Sequence, residues 1–297
     1  MRLAIASGKG GTGKTTIATN LALTLADRER TVQLLDCDVE EPNCHIFLKP
    51  EIEKTEPVTV AIPEVIEGSC TGCGICGDVC EFGAIAVVKG KVLIFPELCH
   101  SCGACTLFCP EEAFTEVPRG IGVIEEGEAG KIRFIHGLLT IGELMSPAVI
   151  RGVKKAAGEA DVVILDSPPG TSCPVIEAVK DADCILLVTE PTPFGLNDLE
   201  LAVGMVRELH IPFAVAINRS DIGNEEVREY CNREQIEIVL EIPDDRRIAE
   251  AYSRGEMVIH ALPEYQKTFE DCWTRIMDLH NHALQTGHSF GGIATEG

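Results

Sequence analysis

The chain reads as an α/β protein: a mostly parallel sheet flanked by helices, with a small α+β module inserted in it. Three observations predict this. Near-continuous apolar runs of strand length recur along the chain, among them residues 2–6, 161–166, 184–190 and 213–218, and read as strands buried on both faces. Helical stretches lie between them, and strands alternating with helices make a parallel sheet. From about Thr59 to Pro118 the composition turns to Cys and Gly, which interrupts the alternation as an insertion.

The elements follow in order. RLAIA at 2–6 is a buried strand that runs into a glycine-rich stretch. Residues 14–27 carry Ile17, Leu21 and Leu25 at spacing four, with Ala18 and Ala22 beside them, the period of a helix. TVQLLD at 31–36 is a second strand. Beyond the insertion, KIRFIHGLL at 131–139 reads as a strand and 146–157 as a helix. The runs at 161–166, 184–190, 213–218 and 236–242 are strands, with helices over 197–209 and 224–233. From His280 the chain is polar and glycine-rich and reads as a loose tail. The expected division is a discontinuous main domain (1–58 and 119–280), an inserted domain (59–118) and a tail (281–297).

Composition narrows the function. Among 297 residues, 47 are acidic and 25 basic, for a formal charge of −22. Such a chain repels nucleic-acid backbones and anionic membrane surfaces, so neither is expected as a partner. No run approaches 18 apolar residues, and the first residues lack the apolar core and cleavage site of a secretory leader. The expected location is the cytoplasm. In a reducing compartment, fourteen cysteines point to metal or redox chemistry sooner than to disulfides.

Residues 8–16 read GKGGTGKTT, where two motifs overlap. Gly8, Gly10 and Gly13 satisfy the dinucleotide fingerprint, and Asp36, 23 residues after Gly13, is placed as its ribose acid. The same stretch satisfies the P-loop pattern. Lys14 and Thr15 favour the P-loop, since a phosphate-binding ammonium and a Mg²⁺-binding hydroxyl serve a nucleoside triphosphate and not a dinucleotide. The backbone of Gly8, Gly10, Gly11, Thr12, Gly13, Lys14, Thr15 and Thr16 is then the phosphate cradle, aided by the helix N-terminus. A ligand-free turn is the bland alternative.

With Lys9 the loop becomes K-G-G-T-G-K-T, which resembles the deviant P-loop of the MinD/ParA/Mrp group of ATPases. The resemblance covers residues 1–48 and about 131–262. It implies that Lys9 reaches a partner's nucleotide across a dimer interface formed on ATP binding, with a second copy or a paralogue. LLDCD would place Asp36 near Mg²⁺ and Asp38 beside the attacking water. DVVILDSPPG resembles a Walker B strand and switch II, with Asp166 holding a Mg²⁺-bound water. Asn218 in AINRS matches the adenine-reading Asn, and EIPDDRRIAEAYSRGEMV resembles the closing loop and last helix, with Ile242, Pro243 and Asp244 placed near the base. The catalytic set so implied is Lys9, Lys14, Asp38 and Asp166. Mg²⁺ and ATP are the implied ligands, and such chemistry rests on positioning and charge neutralisation.

The cysteine block holds C-x2-C-x2-C-x3-C twice, at Cys70, Cys73, Cys76, Cys80 and at Cys99, Cys102, Cys105, Cys109, the second followed by Pro110. This is the two-cluster bacterial ferredoxin pattern, in which the fourth Cys of each run ligates the other cluster. Cys70, Cys73, Cys76 and Cys109 are thus expected to hold one [4Fe–4S] cluster, and Cys99, Cys102, Cys105 and Cys80 the second. Zinc is the competing metal for thiolate sets. Glu81, not Pro, follows the first run. Cys184 reads as a core residue. Cys173, seven residues after Asp166, stands where the nitrogenase iron protein carries a bridging-cluster cysteine, without an evident companion. His280, His282 and His288 are a further metal-binding option.

Together the halves resemble MinD-type ATPases with an inserted ferredoxin domain, such as those of the Orange protein complex. Three readings follow: an ATP-gated electron carrier with a redox or complex partner, a spatial or assembly ATPase whose clusters are structural or redox-sensing, and an iron–sulfur carrier like Mrp.

Overall fold

The computed structural model describes residues 1–28 and 30–286. In chain order its elements are β1 (Arg2–Ala6), α1 (Lys14–Ala26), β2 (Val32–Asp36), α2 (Cys44–Leu48), β3 (Glu51–Val65), α3 (Ile75–Asp78), β4 (Ile85–Val88), β5 (Lys91–Ile94), α4 (Ala104–Leu107) and β6 (Phe114–Ala129). There follow β7 (Ile132–Leu139), α5 (Ser146–Ala156), β8 (Val162–Asp166), α6 (Cys173–Val179), β9 (Cys184–Thr189), α7 (Pro193–Glu208), β10 (Phe213–Asn218), α8 (Glu226–Arg233), β11 (Ile238–Ile242), α9 (Arg246–Ser253), α10 (Val258–Ala261) and α11 (Gln266–Thr286).

The main sheet runs β11-β10-β9-β1-β8-β2-β7-β6-β3. From β11 to β7 every neighbouring pair is parallel, and β6 and β3 add an antiparallel edge. The parallel strands are apolar on both faces because helices cover both. Leu3 and Ile5 pack into a layer with Ile17, Leu21 and Leu25 of α1 and Phe269 and Ile276 of α11. Ala4 and Ala6, pointing the other way, pack with Val149 and Val153 of α5, Val175 of α6, Leu199 of α7 and Val227 of α8. Burying each such aliphatic side chain is worth roughly 1.5–3 kcal/mol, so the two layers anchor the sheet. The loop after β1, Asp36 ending β2, Asp166 ending β8 and Asn218 ending β10 all lie at carboxyl ends of parallel strands, where ligands bind in open α/β sheets.

The cysteine block grows from this sheet. β3 pairs with β6 along its whole length, from Glu51↔Glu128 to Val65↔Phe114, while β6 pairs with β7 only over Gly122–Ala129. The ribbon therefore begins in the main sheet and continues past it, and residues 66–113 sit at its end. The boundaries expected near 58/59 and 118/119 fall inside the ribbon, where β3 and β6 stay paired, with a shift of register at Val58/Thr59. Residues 66–113 contribute α3, α4 and the β4–β5 hairpin, closed around Cys76, Ile85, Cys105 and Phe114. Arg119 of β6 pairs with Glu143 in the loop before α5, with both side chains largely buried.

One expectation at the C-terminal end changes. Residues 281–286 are helical, the end of α11, with Ala283 buried. His280 and His282 lie on this helix; His288 and the remainder of the expected tail lie outside the described residues.

Candidate functional site

The loop from Ser7 to Gly13 is shaped by two glycines that nothing else replaces. A Cβ on Gly8 would lie 2.1 Å from the Asp198 carbonyl oxygen, so the loop passes directly over the start of α7. Gly13 takes φ +98 as the cap of α1, and a Cβ there would meet Asn218 Nδ2 at 2.5 Å. Asn218 Nδ2 donates to the Thr12 carbonyl at 2.9 Å, tying the end of β10 to the loop. α1 then points its free backbone N–H groups into the cleft, with no side chain capping them.

That cleft has a volume of about 400 Å³, within the range of roughly 300–1,000 Å³ usual for small-molecule sites. Gly10, Gly11, Gly13, Lys14, Thr15, Thr16, Asp38, Asn218 and Pro243, all singled out in the sequence, line it together. Gly8, Thr12, Asp36 and Asp166 do not form its walls and stand behind them. Lys9 is held by its own chain, 3.6 Å from Glu190. Asp244, placed near the base with Pro243, lines the cleft too, and Arg219 and Tyr252 line it without having been singled out. Arg219 is 3.3 Å from Glu190 and 3.5 Å from Asp244, and Tyr252 lies against Phe47 of α2 with ring centroids 4.8 Å apart. No periodicity or motif marked Arg219 or Tyr252; only the fold brings them beside the loop.

The acids divide by environment. Asp36 is fully buried, and its oxygens accept backbone N–H groups of Asp38 (3.1 Å), Asn43 (3.0 Å) and Cys44 (2.9 Å). It therefore clamps the segment after β2 and has little left for a ligand. Asp166 is buried, and its Oδ2 accepts from the Thr15 hydroxyl at 2.6 Å, while Oδ1 has no partner. Burial raises the proton affinity of both carboxyls above the usual carboxylate range, and for Asp36 the nearby Asp166 adds to it. Asp38 is raised to about 6, first by burial and then by Asp166, against the pull of Lys14. Burial lowers the Lys14 ammonium from its ordinary value, while Asp166, Asp38 and Asp36 oppose this. An orphaned buried carboxylate oxygen beside a Thr hydroxyl is a hard-oxygen donor set that suits Mg²⁺.

The cysteines sort into two cavities. One is lined by Cys70, Cys73, Cys76 and Cys109, the other by Cys80, Cys99, Cys102 and Cys105. Each mixes three residues of one run with the last of the other. Gly72, at φ +71, packs so tightly that a Cβ would meet the Gly90 carbonyl oxygen at 2.5 Å, and Gly74 and Gly103 cap the two short helices with positive φ. The chain thus wraps each cavity closely. The Ala113 N–H donates to Cys109 Sγ at 3.3 Å, a bond of the kind that tunes iron–sulfur potentials. Four thiolates on one zinc ion at ~2.3 Å would lie roughly 3.8 Å apart. Among the described residues, the group of three ligand atoms found within 4.8 Å of one another is Asp36, Cys44 and Asp166, and includes no cysteine of either run.

The other cysteines are Cys37, Cys44, Cys184, Cys231 and Cys272, all buried, and Cys173, exposed at the start of α6. Cys99 packs against the apolar layer that includes the ribbon residues Val60 and Ile62, and Ala61 and Pro63 of β3 line the second cavity.

A family model described as the CobQ/CobB/MinD/ParA nucleotide binding domain matches residues 3–258. Two uncharacterized proteins of Methanocaldococcus jannaschii are similar: one is 32% identical over 259 residues, covering 86% of this chain and 90% of that protein, and one is 37% identical over 226 residues, covering 75% and 80%. A protein of Pyrococcus horikoshii named iron-sulfur cluster carrier protein is 24% identical over 278 residues, covering 87% and 79%. Among solved structures, the septum site-determining protein MinD of Pyrococcus horikoshii, complexed with Mg-ADP, superposes with a TM-score of 0.59 at 18% identity, covering 94% of this chain and 96% of that one.

Proposed function

The chain belongs to the CobQ/CobB/MinD/ParA family of nucleotide-binding domains, and on that premise we propose that it is a Mg²⁺-ATP-binding, ATP-hydrolysing switch carrying two [4Fe–4S] clusters. Its nucleotide state would be coupled to electron transfer or to partner binding. The observation that carries the reading is the pairing of two four-cysteine cavities with a P-loop cleft through one ribbon.

The geometry of the cleft supports these roles. Backbone N–H groups of Gly10 to Thr16 bind the phosphates, and Lys14, already desolvated, offers a full charge to them. Thr15 and Asp166 would hold Mg²⁺, directly and through water, with charge neutralisation as the chemistry the ion supplies. Asp38, on the cleft wall, orients the attacking water. Asn218 and Pro243 face the base. Lys9, released from Glu190, would reach the nucleotide of a second copy or a paralogue. Cys70, Cys73, Cys76 and Cys109 would hold one cluster and Cys80, Cys99, Cys102 and Cys105 the other, supplying one-electron carriage when bound.

Coupling has a structural route. The segment clamped by Asp36 continues through α2 into β3, which leads to the cysteines, and β6 returns from them to β7 beside β2. A segment ordered by nucleotide contacts is the usual switch in P-loop proteins. Among the described residues, no helix is long and apolar enough to cross a membrane. The test is anaerobic capture of partners from lysate with and without a non-hydrolysable ATP analogue, with iron and acid-labile sulfide counted on the same sample. About eight iron atoms per chain and nucleotide-dependent capture support the reading; absence of both overturns it. The relatives named iron-sulfur cluster carrier proteins support a carrier reading, which transfer of iron to an apo acceptor would favour instead.

A further inference from the structure

Cys44 is a thiol the roles above leave unused. It opens α2 and is fully buried. Its backbone N–H donates to Asp36 Oδ2 at 2.9 Å, and its Sγ–H donates to Asp166 Oδ2 at 3.3 Å. One residue thus joins two acids that are register partners on adjacent strands.

The consequences concern Asp166. Its Oδ2 takes both donors, the Thr15 hydroxyl and the Cys44 thiol, while Oδ1 is buried with none. A carboxylate oxygen can only accept, so in the 3.3 Å contact with Asp166 Oδ2 the Cys44 thiol is the donor. Two donors on one oxygen fix the plane of the carboxylate and leave the other oxygen for a ligand. Supporting hydrogen bonds of this kind commonly carry a factor of ~10–100 in metal affinity or activity.

We propose that Cys44 is a positioning residue that orients Asp166 toward Mg²⁺ and ties that orientation to the switch segment leading into the ribbon. The proposal rests on the Mg²⁺-ATP reading above. Because α2 runs into β3 three residues after its end, a movement of the ribbon root displaces one of the donors that orient Asp166.

The competing role is packing, since Cys44 also belongs to the apolar layer of α1 and α11. Two substitutions in the full chain separate them: Cys44→Val keeps an apolar side chain without a donor, and Cys44→Ser keeps a donor in a polar side chain. The readouts are nucleotide dissociation constants with and without Mg²⁺, the kcat and KM of hydrolysis, and the unfolding midpoint. We expect Cys44→Val to keep its Mg²⁺-free affinity and its midpoint, yet to lose about tenfold of the affinity that Mg²⁺ adds, with kcat falling more than KM changes. Cys44→Ser should retain that gain. If Cys44→Val behaves like the parent, or Cys44→Ser fails to restore the Mg²⁺ effect, the proposal is overturned. If the parent chain shows no Mg²⁺ effect, the underlying reading falls and the proposal with it.

Discussion

The Thr15 hydroxyl donates to Asp166 Oδ2 over 2.6 Å, joining the first turn of α1 to the end of β8 across 151 residues of chain. This bond brings the phosphate loop and the buried acid together at one point. Lys14 adds the charge: its ammonium is buried among Asp36, Asp38 and Asp166, and burial lowers its proton affinity while those acids raise it.

Lys14→Ala should therefore weaken nucleotide binding by roughly a hundredfold, as a lost charge-assisted hydrogen bond implies. Lys9→Ala should bind nucleotide nearly as well, because Lys9 rests on Glu190 and not on the cleft wall, yet lose turnover and dimerisation. Equilibrium binding, phosphate release and sedimentation measured on both variants check this. Full turnover by Lys9→Ala would break the assignment of Lys9 to a second nucleotide.

Asp38→Asn should spare nucleotide binding and reduce hydrolysis at least about a hundredfold, the lower end of what a positioned acid–base group contributes. In the nucleotide-free chain Asp38 holds its proton up to about 6, so the acid is ionised at neutral pH, while hydrolysis should fall as pH drops through that value. The residual activity of Asp38→Asn should show no such fall.

The cysteine cavities make a crossed expectation. Cys80→Ser should remove the same spectroscopic signal as Cys99→Ser, although Cys80 belongs to the first run, and Cys109→Ser should match Cys70→Ser. Each substitution should lower iron by about four per chain and leave nucleotide binding measurable. Pairing of Cys80 with Cys70 instead would show that the runs act separately.

His136 gives a pH signature away from the cleft. It is buried, with Nε2 2.8 Å from Glu125 Oε2 and Nδ1 without a partner. Burial lowers its proton affinity below the ordinary 6.5, although Glu125 pulls the other way. The unfolded chain then binds more protons than the folded one just below pH 6.5. Stability from this group is complete above that value and is lost as pH falls through the lower folded value. His136→Gln should flatten the decline in unfolding midpoint as pH falls below about 6.5.

The parallel sheet was legible because strands covered by helices on both faces must be apolar throughout, as FAVAIN and DVVILD are. The cysteine sorting was legible because the duplicated spacing is a local signal. The ribbon was not. β3 reads EIEKTEPVTVAIPEV, and its first seven residues are exposed, so no apolar alternation announces a strand. Its partner β6 lies almost 50 residues on, and the two strands hold each other mainly through backbone bonds. The change of composition at Thr59 therefore looked like a boundary in the middle of a continuous element. Asp36 was marked because an acid ends a strand there; only the folded loop shows that it also accepts three backbone N–H groups. Cys44 carried no local signal, since its partner Asp166 is 122 residues away. The end of α11 was hidden by Asn, His and Gln on its exposed side, while Ala283 alone marks the buried one.

The central claim is that nucleotide state reaches the cysteine module. Its most direct test is an anaerobic redox titration of the iron-loaded chain, followed by electron paramagnetic resonance, with and without Mg²⁺-ATP. The expected result is a shifted potential or spectrum for at least one cluster in the parent chain, and no shift in Lys14→Ala. Identical potentials and spectra with and without nucleotide, in a chain shown to bind it, would contradict the coupling.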